Sequence, residues 1–159
     1  MSLVTMREIL PYAEEKKIAI PAFNIDTMEI TQAILETVEE ENCPAIIAVG
    51  QAAIKDGKLE SLAATVRTLA KDMKTPVVLH LDHGQSVEQV VKALCAGFTS
   101  VMIDGSKLSF EDNIALTRQV VEYAHDHGVV VEGELGTLAG VEDEVKVSAE
   151  DSSYTHPEE

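Results

Sequence analysis

Residues 77–84 read Val-Val-Leu-His-Leu-Asp-His-Gly, a β-branched apolar start that turns polar at its end. Side chains alternate along a strand, so Val78, His80 and Asp82 share one face. His83 follows at the C-terminal end, next to Gly84. The run predicts a strand over 77–82, buried on both faces as parallel strands are. Four more short apolar runs surround it: 19–24 (AIPAFN), with Pro21 near its start; Ala45–Val49 (AIIAV); 99–104 (TSVMID); and 129–134 (VVVEGE).

Helical patterns separate these runs. Asp26 and Glu29 have capping-box spacing, and Met28, Ile30, Ala33, Ile34, Leu35 and Val38 supply the apolar face of a helix stopped by Pro44. Over 59–73, Leu62, Val66, Leu69, Ala70 and Met73 lie on one stripe. Ser86, with Gln89 three residues on, opens a helix that Gly97 ends, and 110–127 is closed by Gly128. An additional helix over 5–16 opens with Thr5-x-x-Glu8; Pro11 should kink or shorten it. Residues 136–159 are acidic and glycine-bearing and read as loop.

Strand and helix alternating five times predict an α/β protein with a parallel sheet, since parallel neighbours need crossover connections. A doubly wound sheet would advertise a glycine-rich nucleotide turn, and neither GxGxxG nor GxxxxGK[ST] occurs. The expected fold is therefore a parallel (β/α)8 TIM barrel. Such barrels take about 250 residues, so 1–159 is expected to be the N-terminal part of a single barrel domain, about five strands, breaking off before closure. His156-Pro157-Glu158-Glu159 looks like the start of another helix.

A net charge of −16 repels phosphate backbones, which excludes nucleic acid as an expected partner. The apolar runs are too short to cross a membrane and no secretory signal is visible. Cys43 and Cys95 form neither a metal pattern nor a disulfide framework, so a cytoplasmic, reducing setting is expected.

Three consecutive strands end in Asp82-His83, Asp104 and Glu134, delivering three carboxylates and an imidazole to one rim. A single acid at a strand end is ordinarily a helix cap. Three in register beside an Asp-His pair are the pattern of a site, and a divalent cation would compensate their burial. Nitrogen and oxygen ligands suit zinc, with cobalt or manganese as alternatives. His80 reads as a hydrogen-bonded interior residue; His125 and His127 suit a helix C-terminus, and His156 carries no signal. A Schiff-base mechanism needs a buried lysine on a strand, and none of the predicted strands contains one.

Several stretches resemble the class II, metal-dependent ketose-bisphosphate aldolases: AFNI at 22–25, HLDHG at 80–84, GFTSVMIDGS at 97–106, VVEYAH at 120–125 and ELGTLAGVED at 134–143. The resemblance implies zinc-dependent, reversible cleavage of fructose 1,6-bisphosphate to two triose phosphates, with tagatose bisphosphate or a related ketose as the alternative. It implies that His83 binds the catalytic Zn2+, which acts as a Lewis acid on the ketone. Asp82 matches the residue that moves the proton of the hydroxyl becoming the aldehyde oxygen. Asp104 and Glu134 match positions of alternative or second metal binding, Glu142 an acid that exchanges a proton at the enediolate carbon, and Asn24 a substrate-contacting amide. Gly50 falls where relatives often carry serine, and the family's two other zinc histidines fall on later strands. Relatives are commonly homodimers or homotetramers. Two further readings stand beside this one. The 159-residue chain by itself is a non-catalytic fragment or assembly module, its open sheet edges inviting association; or the barrel is another metal-dependent enzyme, such as a sugar-phosphate isomerase or epimerase.

Overall fold

Five parallel strands cross one sheet in chain order: β1 (Ala22–Asn24), β2 (Ala45–Val49), β3 (Val77–Gly84), β4 (Ser100–Ile103) and β5 (Val130–Gly133). The structure is a computed structural model that describes residues 2–142, 145–150, 152–156 and 158, with backbone alone at Glu142 and Val145. A doubly wound sheet reverses its strand order at a switch point. This sheet never reverses, and right-handed crossovers running one way lay their helices on one face. That is the topology of a (β/α) barrel, here through five successive strands.

The helices are α1 (Met6–Lys16), α2 (Met28–Glu41), α3 (Gln51–Lys55), α4 (Leu59–Leu69), α5 (Val87–Ala96) and α6 (Phe110–Asp126). Alternation on the central strands separates two layers. Ile47, Val49, Leu79, Leu81, Val101 and Ile103 face the helices and join Leu35, Val66, Val90 and Val120 in the main core. Val78 faces the other way and packs on Met6 and Ile9 of α1, with Ile20, Ile46 and Val130 beside them. The segment before α1 is tied to β3: Val77 N donates to Ser2 O (2.7 Å) and Val4 N to Val77 O (2.9 Å). α1 thus stops the N-terminal end of the inner face with aliphatic side chains, each contributing about 1.5–3 kcal/mol on full burial. Polar groups on that face are left at the C-terminal end.

Several local expectations are corrected. β1 is three residues long, because the chain enters the sheet only after Pro21, whose carbonyl accepts from Ile46 N. Thr27, not Asp26, caps α2: Ile25 still pairs with Ala48 O (2.9 Å), so the backbone stays extended until Thr27 accepts from Ile30 N. Pro11 does not shorten α1, which runs through it on its exposed side. The 59–73 pattern divides into α4 and a 3-10 turn, Ala70–Asp72. The short α3 gave no periodic signal. Residues 136–159 are not all loop, since β6 (Gly140–Glu142) and β7 (Val145–Val147) form an antiparallel hairpin.

β3 carries the largest irregularity. Leu81 pairs with Val101 but Gly84 with Ile103, so three steps on β3 match two on β4. This is a one-residue bulge. Gly84 sits where the strands approach closely, and a Cβ there would lie 2.5 Å from Met102 O. Gly84→Ala is expected to destabilise the fold by about 1–3 kcal/mol, read as a lowered urea midpoint with unchanged slope; an unchanged midpoint would show that the bulge has slack.

Candidate metal and catalytic site

The bulge decides where His83 points. Regular alternation would send it to the helix side with Leu79 and Leu81. Instead His83 adopts a left-handed backbone (φ 49°), a conformation costing a non-glycine residue about 1–2 kcal/mol. Its imidazole thereby turns onto the face already carrying Asp82. His83 Nδ1 lies 3.4 Å from Asp104 Oδ2 and 3.4 Å from Glu134 Oε2, while Nε2 is 4.0 Å from Asp82 Oδ1.

Each of these groups is held from outside the rim. Asp104 follows β4 and receives Ser106 N (3.0 Å) and the Ser106 hydroxyl (2.6 Å) on Oδ1. Burial alone would raise its carboxyl, but those bonds and His83 hold it below the usual carboxylate range. Glu134 follows β5, and its carbonyl accepts from Nδ2 of the buried Asn113 (2.7 Å). The His83 carbonyl accepts from Gln51 Nε2 (2.7 Å). Asn24, at the end of β1, donates from Nδ2 to Asp82 Oδ2 (3.1 Å). A Cβ on Gly50 would stand 3.2 Å from that amide nitrogen and 3.8 Å from Asp82 Oδ2, so the glycine leaves space above the pair.

His83, Asp104 and Glu134 offer one donor atom each, all within 4.8 Å of one another. One imidazole nitrogen and two carboxylate oxygens, partly withdrawn from water, fit a divalent cation. His83 and Glu134 border a cavity of about 330 Å³ that Asp82, Glu132 and Thr137 also line. The structure therefore brings Asn24, Asp82, His83, Asp104 and Glu134 to one rim. The Glu142 side chain lies outside the described residues; its backbone ends β6. His127 is turned away, donating from Nδ1 to Tyr123 O (2.9 Å) at the end of α6.

Sequence reasoning missed the supporting amides. Asn113 had a signal, being polar on the α6 face that buries Val120 and Ala124. Gln51 had none, since its helix is five residues long. It also missed Glu132, on β5 behind the rim, whose carboxyl is raised by burial and by the Asp82 charge.

His80 is interior, 5% exposed, with Nδ1 2.8 Å from Ser100 Oγ and Nε2 3.6 Å from Glu132 Oε2. Burial pushes its imidazole from 6.5 down to about 4, against the pull of Asp82. Between those values the unfolded chain binds the proton and the folded chain does not. Stability therefore rises with pH across the window and is lost as pH falls from 6.5 to 4. The shift corresponds to about 3 kcal/mol. His80→Gln is expected to lose that much less stability than the parent between pH 7 and 4, measured by urea unfolding; parallel pH profiles would contradict a neutral buried His80.

Comparison with known proteins identifies the family. Residues 4–159 match the family model described as fructose-bisphosphate aldolase class-II. The fructose-bisphosphate aldolase of Thermus caldophilus is 50% identical over 157 residues, covering 99% of this chain and 51% of that protein. The Staphylococcus aureus (strain Mu50) enzyme of the same name is 46% identical over 162 residues, covering all of this chain and 56% of its own. Among solved structures, the YdjI aldolase of Escherichia coli K12 superposes with a TM-score of 0.80 at 34% identity, over 84% of this chain and 52% of that one. The chain spans about half the length of the curated relatives it matches. With the strand order, the donor cluster and a match that runs from residue 4 to the last residue, the chain belongs to the class-II fructose-bisphosphate aldolase family.

Proposed function

We propose that this chain supplies the N-terminal, acid-bearing half of a zinc-dependent aldolase site that cleaves fructose 1,6-bisphosphate reversibly to dihydroxyacetone phosphate and glyceraldehyde 3-phosphate in the cytoplasm. The observation that carries the proposal is the convergence of His83, Asp104 and Glu134 beside Asp82 on one strand-end rim. His83 would hold Zn2+, with Asp104 and Glu134 as alternative or second donors, and the bound ion would supply Lewis acidity to the ketone oxygen. Asp82 would move the proton. Its Oδ2 is engaged by Asn24, and the carboxylate, which lines the cavity, would accept the proton of the C4 hydroxyl as the carbon–carbon bond breaks. Asn24, bonded to Asp82 Oδ2, would orient that carboxylate and the substrate hydroxyl. Glu142 is assigned the proton exchange at the dihydroxyacetone carbon, on family resemblance.

The test is a complete barrel made by fusing this chain ahead of the second half of the Thermus caldophilus relative. Triose phosphate release should be abolished by chelator, restored by Zn2+, and reduced at least about 100-fold by Asp82→Ala, the size of a lost proton-transfer group. Activity that survives chelation and is trapped by borohydride would sink the reading. Product analysis separates it from an isomerase or epimerase, which releases no triose phosphate. Tagatose 1,6-bisphosphate assayed alongside decides the ketose.

A second reading concerns the isolated chain. β1 is exposed along its length and carries Phe23 at 42% exposure, and β5 is the opposite open edge. Unpaired parallel edges favour association. Light scattering should show self-association without turnover; a monomeric, zinc-loaded, active 159-residue chain would contradict this, whereas homodimers or homotetramers are expected of the complete barrel.

A further inference from the structure

We propose that Gln51 and Gln89 act together as a positioning clamp that holds the left-handed turn at His83 and so aims its imidazole at Asp104 and Glu134; this rests on reading His83 as a metal ligand. Gln51, the first residue of α3, is 2% exposed. Its Nε2 donates to His83 O at 2.7 Å and lies 3.1 Å from Gln89 Oε1. Gln89, in the first turn of α5, returns the bond from Nε2 to Gln51 Oε1 (3.2 Å), and its Oε1 also accepts from Gln85 N (2.8 Å). Two amides thus pair face to face, with their remaining capacity spent on the backbone on either side of Gly84.

The location explains why amides are needed. The β2–β3 register ends at Val49 and Leu81, and the β3–β4 register jumps from Leu81 to Gly84. The His83 carbonyl falls in the gap of both ladders, and the Gln51 amide meets it there. A core position filled only for packing would take an aliphatic side chain. Here a buried polar pair links the β2–α3 junction, the end of β3 and the start of α5, and the element it fixes is the one residue whose backbone must leave strand geometry. Groups that orient a ligand from behind typically change metal affinity ten- to a hundredfold.

Zinc titration calorimetry on the complete barrel, fused as described above, with Gln51→Met, Gln51→Glu, Gln89→Met and the Gln51→Met/Gln89→Met pair, tests the clamp. Methionine keeps the volume and ionised glutamate the shape, and neither donates to the His83 carbonyl. Gln51→Met and Gln51→Glu are each expected to weaken Zn2+ binding ten- to a hundredfold, and the pair no more than Gln51→Met alone. In the metal-free protein, the His83 ¹³Cα and ¹³Cβ shifts should move away from left-handed values in the Gln51 variants, a change that loss of packing elsewhere would not produce. Unmoved His83 shifts, or zinc affinity within twofold of the parent for both Gln51 variants, would overturn the proposal. His83→Ala separates the two levels. If it binds zinc as the parent does, the metal reading fails and the His83 shifts alone decide the clamp. If Gln51→Met does not fold, Gln89→Met carries the same two measurements.

Discussion

A strand that keeps its alternation delivers every second side chain to one face, about 6.6 Å apart. On β3 that rule supplies Val78, His80 and Asp82 to the inner face and would commit His83 to the helix layer. Chemistry that needs a carboxylate and an imidazole side by side cannot be built on a regular strand. The extra residue between Leu81 and Gly84 removes the restriction, and the left-handed backbone of His83 brings its ring round beside Asp82. Asp104 N then donates to Gly84 O (2.9 Å), so the ladder resumes past the bulge and sets where the next acid leaves the sheet. The rim geometry depends on this defect.

Such a defect must be held by something other than the sheet. Gln51 meets the His83 carbonyl, Asn113 the Glu134 carbonyl, and Ser106 the Asp104 carboxylate. Two of these come from the first turns of helices that pack on the outer face, so the donor triangle is registered against the helix layer. Displacing α3 or α6 would move a donor without touching it. The strands set the coarse positions, and polar contacts from the helix layer set the final ångström.

This division also explains what could be read from the sequence. Apolar runs ending in Asp82-His83, Asp104 and Glu134 announced both the parallel sheet and its rim, because burial of β-branched residues and polar strand ends are periodic features. His80 was recognisable as interior for the same reason: a lone imidazole between Leu79 and Leu81 must find a partner, and Ser100 provides it. The bulge was not legible. It arises from tertiary fit between β3 and β4, and Gly84 hints at close approach without saying which neighbour turns. Gln51 was invisible since a five-residue helix has no period, and Thr27 displaced Asp26 as a cap because Ile25 keeps its bond to β2. The β6–β7 hairpin escaped because its strands are three residues each in an acidic segment.

The same rim poses an electrostatic problem that its own residues define. Asp82, Asp104 and Glu134 crowd around His83, with Glu132 beside His80, in a chain of net charge −16. An anion approaching such a surface meets repulsion, and burial, with the Asp82 charge added to it, already raises the Glu132 carboxyl. One feature reduces the cost of keeping an acid ionised: Ser106 donates to Asp104 from both its amide and its hydroxyl. Neutral donors spread that charge without cancelling it. A divalent cation among His83, Asp104 and Glu134 would cancel two charges at once and turn the rim from a barrier to anions into a surface one can reach. A divalent cation at this rim would therefore have to precede any anionic ligand.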